Sequence, residues 1–279
     1  MSYISILLVG IMKYLFWNTK KNKLINPILC DLVDENDISI IVLAEYEADI
    51  EELIHLLHNR GIFMKPVITA GCERIKALTI ERLRIEPMRQ SDYATIQFLD
   101  GSILLCGIHL NSQRNPEHKE IRDDRIRRIV QDVMDCEKSQ STNNTVIVGD
   151  FNVPPYDNSC ISSMCFYAQP IYEETIRRSR KVDKVDRFMF YNPMWNLLGD
   201  LNKPYGTYYY PGSNPINTYW HILDQVIIRP DLRNRFVNES LKILTTTSHR
   251  SLLDTKGHPD KSISDHLPLT FEIKESQYE

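Results

Sequence analysis

The sequence predicts an α/β protein in which two packed β-sheets are flanked by helices. Strand-like and helix-like hydrophobic patterns alternate, and the strands fall into two groups with helices between them. Of the 279 residues, 42% are hydrophobic and 25% are charged, which excludes disordered and fibrous proteins. No repeat, low-complexity segment or shift in composition divides the chain, so a single domain is expected.

Hydrophobic periodicity predicts the elements of the first half of the chain in order. Strands are expected at 13–18, 37–43, 62–69, 74–81, 93–99 and 102–109, and helices at 24–37 and 45–60. Gly61 follows the second helix, where a helix C-terminus favours glycine. Asp100-Gly101 lies between the last two strands and predicts a β-hairpin.

The second half begins with a charged amphipathic helix, which is expected over residues 116–138. Proline, asparagine and tyrosine clusters make the stretch 153–222 less regular. Buried strands are predicted at 145–148, 223–229 and 267–273.

The N-terminal stretch from Ile4 to Ile11 is apolar, but Lys13 keeps the run below the ~18 residues that a membrane span needs. No basic region precedes it and no small-residue cleavage site follows. We therefore expect Met12 to be the native start and residues 1–11 to be an extension, with an extra strand or a weak membrane anchor as the alternative. No stable membrane association is expected.

Six cysteines are spread along the chain without a CxxC pair, at positions 30, 72, 106, 136, 160 and 165. No histidine follows the closest pair at zinc-finger spacing. Buried free thiols in a reducing compartment explain this usage, and a cytoplasmic protein is expected.

Acidic and polar side chains stand at the ends of the predicted strands. They are Asn18, Glu45, His109, Asp150, Asn152, Asp224, Asp265 and His266. Strand ends form the open rim of an α/β sheet, where ligands bind. Taken singly, each has a structural explanation: a turn around Asp150, a helix N-terminal charge at Glu45, or a structural histidine at His109. The complete set indicates a functional site.

This order of residues resembles the endonuclease/exonuclease/phosphatase superfamily, which includes deoxyribonucleases, apurinic endonucleases, sphingomyelinases and inositol polyphosphate phosphatases. The matching motifs are Phe16-Trp17-Asn18, Leu43-Ala44-Glu45, Ile108-His109-Leu110-Asn111-Ser112, Val148-Gly149-Asp150-Phe151-Asn152, Leu223-Asp224-Gln225-Val226 and Ile263-Ser264-Asp265-His266-Leu267-Pro268. The resemblance implies a four-layer α/β/β/α sandwich. It spans nearly the whole chain, so residues 12–279 are expected to form one catalytic domain of this superfamily.

The resemblance also implies hydrolysis of phosphate esters by in-line attack of water, which Asp150 would align or deprotonate. Asn152 would donate its amide to a phosphate oxygen, and His109 and His266 would flank the phosphate. Asp224 would pair with His266, fixing its tautomer and favouring the imidazolium form.

A divalent metal is implied for the same site, with Mg²⁺ expected and Mn²⁺ as an alternative. Mg²⁺ prefers a few carboxylate oxygens and keeps several waters. Glu45 is the first choice as a ligand, with Asn18 close to it and Asp265 as a second acid.

The substrate is less defined by the sequence. A nuclease acting on DNA or RNA is the leading hypothesis, a phosphatase or phospholipase acting on inositol or lipid head groups is the second, and a non-catalytic binding protein is the third. The net charge of −4 argues against coating of nucleic acid but permits a local cationic groove. No protein partner is inferred.

Four residues are predicted to bind the substrate: Asn111, Arg177, Arg178 and Trp220. The two arginines belong to a basic segment, 171–191, which is either a cationic loop on a phosphate backbone or a solvated helix face. Trp220 belongs to a group of aromatic residues that would either stack on bases or pack in the core.

Overall fold

Two mixed β-sheets pack face to face in the computed structural model, which describes residues 10–112, 118–215 and 217–275. In chain order the strands are β1 (Ile11–Asn18), β2 (Ile40–Ala44), β3 (Met64–Pro66), β4 (Ile75–Ile80), β5 (Ile85–Ser91), β6 (Ala94–Leu99), β7 (Ile103–His109), β8 (Thr145–Asp150), β9 (Ala168–Gln169), β10 (Ser179–Val182), β11 (Val185–Phe188), β12 (Phe190–Tyr191), β13 (Tyr208–Tyr209), β14 (Trp220–His221), β15 (Asp224–Ile228), β16 (Phe236–Ile243) and β17 (Leu269–Lys274). The first sheet has the order β16-β17-β1-β2-β4-β3, and the second has the order β5-β6-β7-β8-β15-β12-β9.

Helices cover the outer face of each sheet. They are α1 (Asn26–Glu35), α2 (Ile50–His58), α3 (His118–Ser139), α4 (Asn158–Ile161) and α5 (Tyr172–Thr175). The apolar faces of α1 and α2 share a buried cluster with outward side chains of the first sheet. The apolar stripe of α3 shares a second cluster with outward side chains of the second sheet. The predicted α/β/β/α sandwich is confirmed.

Successive side chains of each central strand face alternate sides of the sheet, which explains the direction of the polar side chains at the strand ends. In β1, Phe16 belongs to the core between the sheets, whereas Trp17 belongs to the cluster under the helices. Asn18 therefore continues the inward-facing series. In β8, Val146 and Val148 belong to the inter-sheet core, so Asp150 also faces the gap. The polar residues thus cap one end of the space between the sheets.

The second predicted helix begins later than its sequence pattern suggested. Helix α2 starts at Ile50, and the Asp49 side chain caps it by accepting hydrogen bonds from the amides of Glu51 and Glu52. Glu45 stands before this helix, in the turn after β2, with a positive φ of 49°. The helix-terminal explanation of Glu45 is therefore wrong.

Several strands were not predicted, among them the edge strands β5 and β16 and the ribbon of β10 and β11. Strand β5 is mostly polar and contains Pro87 at an irregular register with β6, which an edge position tolerates. Strand β16 pairs with β17 through a bulge, which breaks its two-residue alternation. The basic segment forms an exposed hairpin of β10 and β11, so its interpretation as a helix face is wrong.

The first strand begins one residue before the predicted native start. Ile11 pairs with Lys274, and the Gly10 carbonyl accepts a hydrogen bond from the Glu275 amide. Residues 1–9 of the predicted extension lie outside the described residues, so the start at Met12 stays a prediction. No helix in the described ranges is long and apolar enough to cross a membrane. All six cysteines are buried and unbridged, which confirms the predicted free thiols.

We expect Gly149→Ala to destabilise the fold directly beneath the polar row. A Cβ at this position would lie 2.0 Å from the Ile108 carbonyl oxygen of the neighbouring strand. Since backbone must move to relieve the contact, overpacking should cost about 1–3 kcal/mol or more. Urea unfolding would measure this, and Ala94→Gly supplies a comparison that removes a Cβ from β6, on the far side of β7. An unchanged Gly149→Ala midpoint would contradict the prediction.

Candidate active site

Three adjacent strands of the second sheet place three titratable residues in one row. His109 ends β7 and pairs with Asp150 at the end of β8, and Asp150 pairs with Asp224 at the start of β15. The first two strands are parallel and the third runs antiparallel, so the carboxyl ends of β7 and β8 meet the amino end of β15. The register thus assembles these residues at one edge of the sheet.

The first sheet contributes two residues from the opposite side of the gap. Asn18 ends β1 opposite Ala44, and Glu45 follows in the next position. The amide Nδ2 of Asn18 donates a hydrogen bond to Oδ2 of Asp150 at 2.9 Å, which joins the two sheets. Glu45 and Asn152 both have positive φ values, 49° and 53°, an uncommon conformation that often marks functional turns.

A pocket of about 550 Å³ opens where these strands end. Its wall includes eight of the predicted site residues: Asn18, Glu45, His109, Asn111, Asp150, Asn152, Asp265 and His266. Asp224 lies behind His266, fully buried. The structure therefore brings together all the predicted catalytic and metal-binding positions.

Asp150 is a buried carboxylate held by two donors. Besides Asn18, the Asn152 amide donates to its Oδ1 at 2.8 Å. Burial raises the pKa of Asp150 to about 7, and the negative charge of Asp224 adds to the increase, while His266 opposes it. A carboxyl group with this pKa is suited to accept a proton from water near neutral pH.

Asp224 and His266 form a buried pair. Nδ1 of His266 lies 2.8 Å from Oδ2 of Asp224. The His266 backbone is fixed as well, since Trp17 Nε1 donates to its carbonyl at 2.8 Å and its amide donates to Ser264 Oγ at 3.1 Å. Burial lowers the pKa of His266, but the charge and hydrogen bond of Asp224 outweigh burial and raise it to about 10. His266 is therefore a cation at neutral pH, with Nε2 left to donate.

His109 has the opposite electrostatic state. Burial lowers its pKa to about 4, and the positive charge of Arg74 contributes to the decrease. Its Nε2 lies 3.6 Å from Glu45 Oε1 and 3.7 Å from Asp150 Oδ2. Its buried Nδ1 has no hydrogen-bond partner among the described residues. His109 is therefore neutral at pH 7, and Nε2 is placed between two carboxylates.

Three of the four predicted substrate-binding residues do not line the pocket. Trp220 packs instead against Tyr209, with ring centroids 5.4 Å apart. Arg178 forms a double hydrogen bond with Asp231. Asp231 follows the C-terminal end of β15, whereas Asp224 lies at its N-terminal end. Arg177 pairs with Glu174 in the same exposed region. The structure places these three residues outside the pocket, where the arginines bind nearby acids and the tryptophan packs locally, so their contact with substrate stays a prediction.

The pocket also contains residues that the sequence interpretation missed. They are Lys20, Arg74, Asn214, Asn217 and His221, whereas Ser112 belongs to a matching motif, and Tyr208 and Tyr210 belong to the aromatic group noted in the sequence. Lys20 stands two positions after Asn18, so its proximity to a strand end was a usable signal. Arg74 precedes β4, and only the pairing of β4 with β2 brings it to the site.

Two sets of side chains could hold a cation. One ligand atom each from Asp150, Asp224 and His266 lies within 4.8 Å of the others. In this set, however, Nδ1 of His266 is already bonded to Asp224. The second set consists of hard oxygen donors on the pocket wall, from Glu45, Asp150 and Asp265. A buried carboxylate such as Asp150, with a raised pKa, favours a nearby cation.

Several solved structures resemble this chain over nearly all of its length. A 3′ phosphatase from Neisseria, bound to a product DNA hairpin, has a TM-score of 0.53 at 14% identity, covering 95% of this chain and 100% of the other. An AP endonuclease from Archaeoglobus fulgidus has a TM-score of 0.56 at 13% identity, with the same coverage of 95% and 100%. The human Nocturnin catalytic domain with bound sulfate has a TM-score of 0.52 at 14% identity, covering 95% and 94%.

No family model matches the sequence, and no curated protein matches it. At identities of 13–15% the structural likeness establishes the fold. The roles of individual residues must therefore be argued from the geometry of this chain.

Proposed function

We propose that this chain, which has the fold of the endonuclease/exonuclease/phosphatase superfamily, is a metal-dependent nuclease that hydrolyses phosphodiester bonds of DNA or RNA. The proposal rests on the contact between the two sheets at the end of the gap where the polar residues lie. Asn18 of the first sheet binds Asp150 of the second, and Asp150 stands in register with the Asp224 that holds His266.

The oxygen donors around the pocket fit a hard divalent cation such as Mg²⁺. Glu45 is partly exposed to the pocket and would be the principal ligand, with Asp265 as a second acid and Asn18 nearby. Asp150 lines the same pocket with its oxygens held by two donors, and its negative charge supports a cation at Glu45. When bound, the cation supplies Lewis-acid stabilisation of charge on the phosphoryl oxygens.

The protein residues divide the remaining work. Asp150 orients a water and accepts its proton, because its carboxylate faces the gap and its pKa lies near 7. His266, held as a cation by Asp224, donates to a non-bridging phosphate oxygen and stabilises its increasing charge. Neutral His109 faces the same space and donates from Nε2. The Asn152 side chain donates one amide hydrogen to the Leu110 carbonyl at 2.9 Å, and its second amide hydrogen would donate to a phosphate oxygen.

The wall of the pocket offers the positive charge and the aromatic surface that suit a nucleic acid. Lys20 and Arg74 place positive charge beside the acidic cluster, and Tyr208 and Tyr210 add aromatic surface. Cations that bind phosphates and rings that stack on bases are the features used by nucleases on single strands. This combination favours a polynucleotide over a lipid head group.

The direct test is hydrolysis of end-labelled single- and double-stranded DNA and RNA, with Mg²⁺ and then with EDTA. We expect cleavage that depends on the metal and that shows exo- or endo-action in its product ladder. No cleavage of any nucleic acid by folded protein would overturn the nuclease proposal. Hydrolysis of inositol phosphates or phospholipids instead would assign the site to the second substrate class.

We expect Glu45→Gln to raise the Mg²⁺ concentration needed for half-maximal activity about tenfold or more, because a neutral amide binds a hard cation less strongly than a carboxylate. Mg²⁺ titrations of the hydrolysis rate would measure this. Glu47→Gln is the matched control, since Glu47 is exposed and pairs with Lys21 at the surface. Equal Mg²⁺ requirements for the wild-type protein and Glu45→Gln would exclude Glu45 as a ligand.

A further inference from the structure

Beside the pocket, one tyrosine ring holds two arginine side chains that have no part in the proposed chemical step. Tyr93 lies in the turn between β5 and β6, and its carbonyl accepts a hydrogen bond from the His109 amide at 3.0 Å. The guanidinium carbon of Arg74 lies 4.5 Å from the centroid of the Tyr93 ring, and that of Arg125 lies 3.9 Å from it. We call these three residues the Tyr93 clamp.

One arginine lines the pocket, and the other contacts a residue of its wall. Arg74 lines it directly, and the pairing of Ala44 with Ile75 places Arg74 across from Glu45. Arg125 donates a hydrogen bond to Oδ1 of Asn111, which also lines the pocket. The Tyr93 clamp therefore borders the catalytic residues on the side of His109.

The arginines of the Tyr93 clamp differ from a neighbouring arginine in their lack of a carboxylate ion pair among the described residues. Arg128, on the same helix as Arg125, pairs with Asp124. By contrast, neither Arg74 nor Arg125 forms an ion pair with a carboxylate in the parts of the chain that the structure describes. The charge of Arg74 is felt at His109, where it lowers the pKa of the imidazole.

Stacking on a ring occupies the flat face of a guanidinium and leaves its edge donors available. The edge donors of each guanidinium suit phosphate oxygens. An anion at this place would also relieve the repulsion between the two guanidinium charges. The clamp has the chemistry of an anion subsite next to the catalytic pocket.

We propose that the Tyr93 clamp binds a second phosphate of the substrate, one linkage away from the phosphate that is hydrolysed. The inference rests on the proposed function, because the clamp borders the same pocket. In a nucleic acid, the second phosphate is the neighbouring internucleotide phosphate. An inositol polyphosphate presents the same chemistry, and the experiment below distinguishes the two sources.

The experiment combines an arginine variant with a substrate of altered charge. The substrate is a trinucleotide with two linkages, either both phosphodiesters or one replaced by a neutral, uncleavable methylphosphonate. We expect Arg125→Gln to lower kcat/KM about tenfold to a hundredfold on the all-phosphate trinucleotide, the size of a charged hydrogen bond. The methylphosphonate can replace either linkage, which gives two positional isomers. On at least one of them, the difference in kcat/KM between the wild-type protein and Arg125→Gln should fall to about twofold or less, because the second charge is absent.

Arg128→Gln is the matched control, since it removes the same charge from the exposed face of the same helix. Arg125→Lys separates charge from shape and should recover part of the loss. Equal rates for the wild-type protein and Arg125→Gln on the all-phosphate trinucleotide would overturn the inference. A loss that persists undiminished on both methylphosphonate isomers would overturn it too, because that loss would not come from a second phosphate.

Failure of the proposed function gives a different pattern. One outcome is hydrolysis of inositol bisphosphate, but not of the trinucleotide, with a lower rate on inositol bisphosphate for Arg125→Gln. That outcome would support the Tyr93 clamp and refute the nuclease proposal. If neither substrate is hydrolysed, fluorescence anisotropy of a labelled trinucleotide decides. Weaker binding by Arg125→Gln than by Arg128→Gln then supports the clamp without the enzyme, and equal binding by both refutes it.

Discussion

Asp150→Asn is expected to lower kcat about a hundredfold to ten-thousandfold, the range for loss of a general base. Asparagine keeps the size of the side chain, and its oxygen still accepts the hydrogen bond that the Asn152 amide gives at 2.8 Å. It cannot take a proton from water. Its NH2 group also faces the Asn18 NH2 group, which donates to Asp150 in the wild-type protein, so two donors meet in the variant. The chemical step should therefore suffer much more than substrate binding.

The stability of this variant has a defined sign. The folded protein raises the pKa of Asp150 to about 7, so the ionised form is disfavoured by folding. The stability linked to the neutral acid is fully present below the unfolded pKa of about 3.9 and is lost as pH rises through 7. Since asparagine is neutral at every pH, we expect the thermal midpoint of Asp150→Asn at pH 8 to equal or exceed that of the wild type.

Single-turnover hydrolysis, substrate affinity and thermal unfolding would together test this prediction. Asp200→Asn, which changes an exposed loop carboxylate, is the control for the change in net charge. If Asp150→Asn unfolds the protein or weakens substrate binding as much as it slows turnover, the residue is structural. A variant with wild-type turnover would remove Asp150 from the mechanism.

Asp224→Asn is expected to lower kcat by a similar factor through the charge of His266. In the wild-type protein, Asp224 raises the pKa of His266 to about 10 against the effect of burial. Without the carboxylate, burial dominates and the pKa falls, so the imidazole loses its proton at a lower pH. The alkaline limb of the pH–rate profile should therefore move toward neutral pH.

Linkage gives the sign of the accompanying change in stability. The Asp224–His266 pair contributes stability that is fully present below the unfolded histidine pKa of about 6.5 and is lost as pH rises through about 10. Asp224→Asn should therefore lose more stability at pH 6 than at pH 10. An NMR titration of the His266 ring would measure the pKa directly.

The double variant separates the pairing of Asp224 with His266 from independent roles. Because the two side chains act through one hydrogen bond of 2.8 Å, the losses of Asp224→Asn and His266→Gln should be far from additive. Additive losses, or a His266 pKa that does not move in Asp224→Asn, would disprove the pairing as the source of the effect.

The amino-acid sequence by itself determined the layers of the fold and the catalytic set. Apolar runs such as 37–43 and 102–109 predicted strands buried on both faces, because such runs must be covered on each side. The polar residue after each run identified the functional edge. Asn18, Glu45, His109 and Asp150 were each found from their place at a strand end, and all four line one pocket.

Edge strands and exposed segments were beyond the sequence pattern for a physical reason. Strand β5 is polar because an edge strand has little apolar surface to bury. The backbone of the basic segment 171–191 stayed open between a loop and a helix, since charges describe exposure and not backbone conformation. Arg178 is such a charge, and its partner Asp231 is distant in sequence.

The tertiary structure alone decided how the site is charged and what surrounds it. The pairing of β2 with β4 brings Arg74 to the pocket, and the turn after β5 brings Tyr93 beside His109. Long-range strand pairing also makes His266 a cation and leaves His109 neutral, because their pKa values depend on burial and on neighbours distant in sequence. The residue types were visible in the sequence, whereas their protonation states follow from three-dimensional packing.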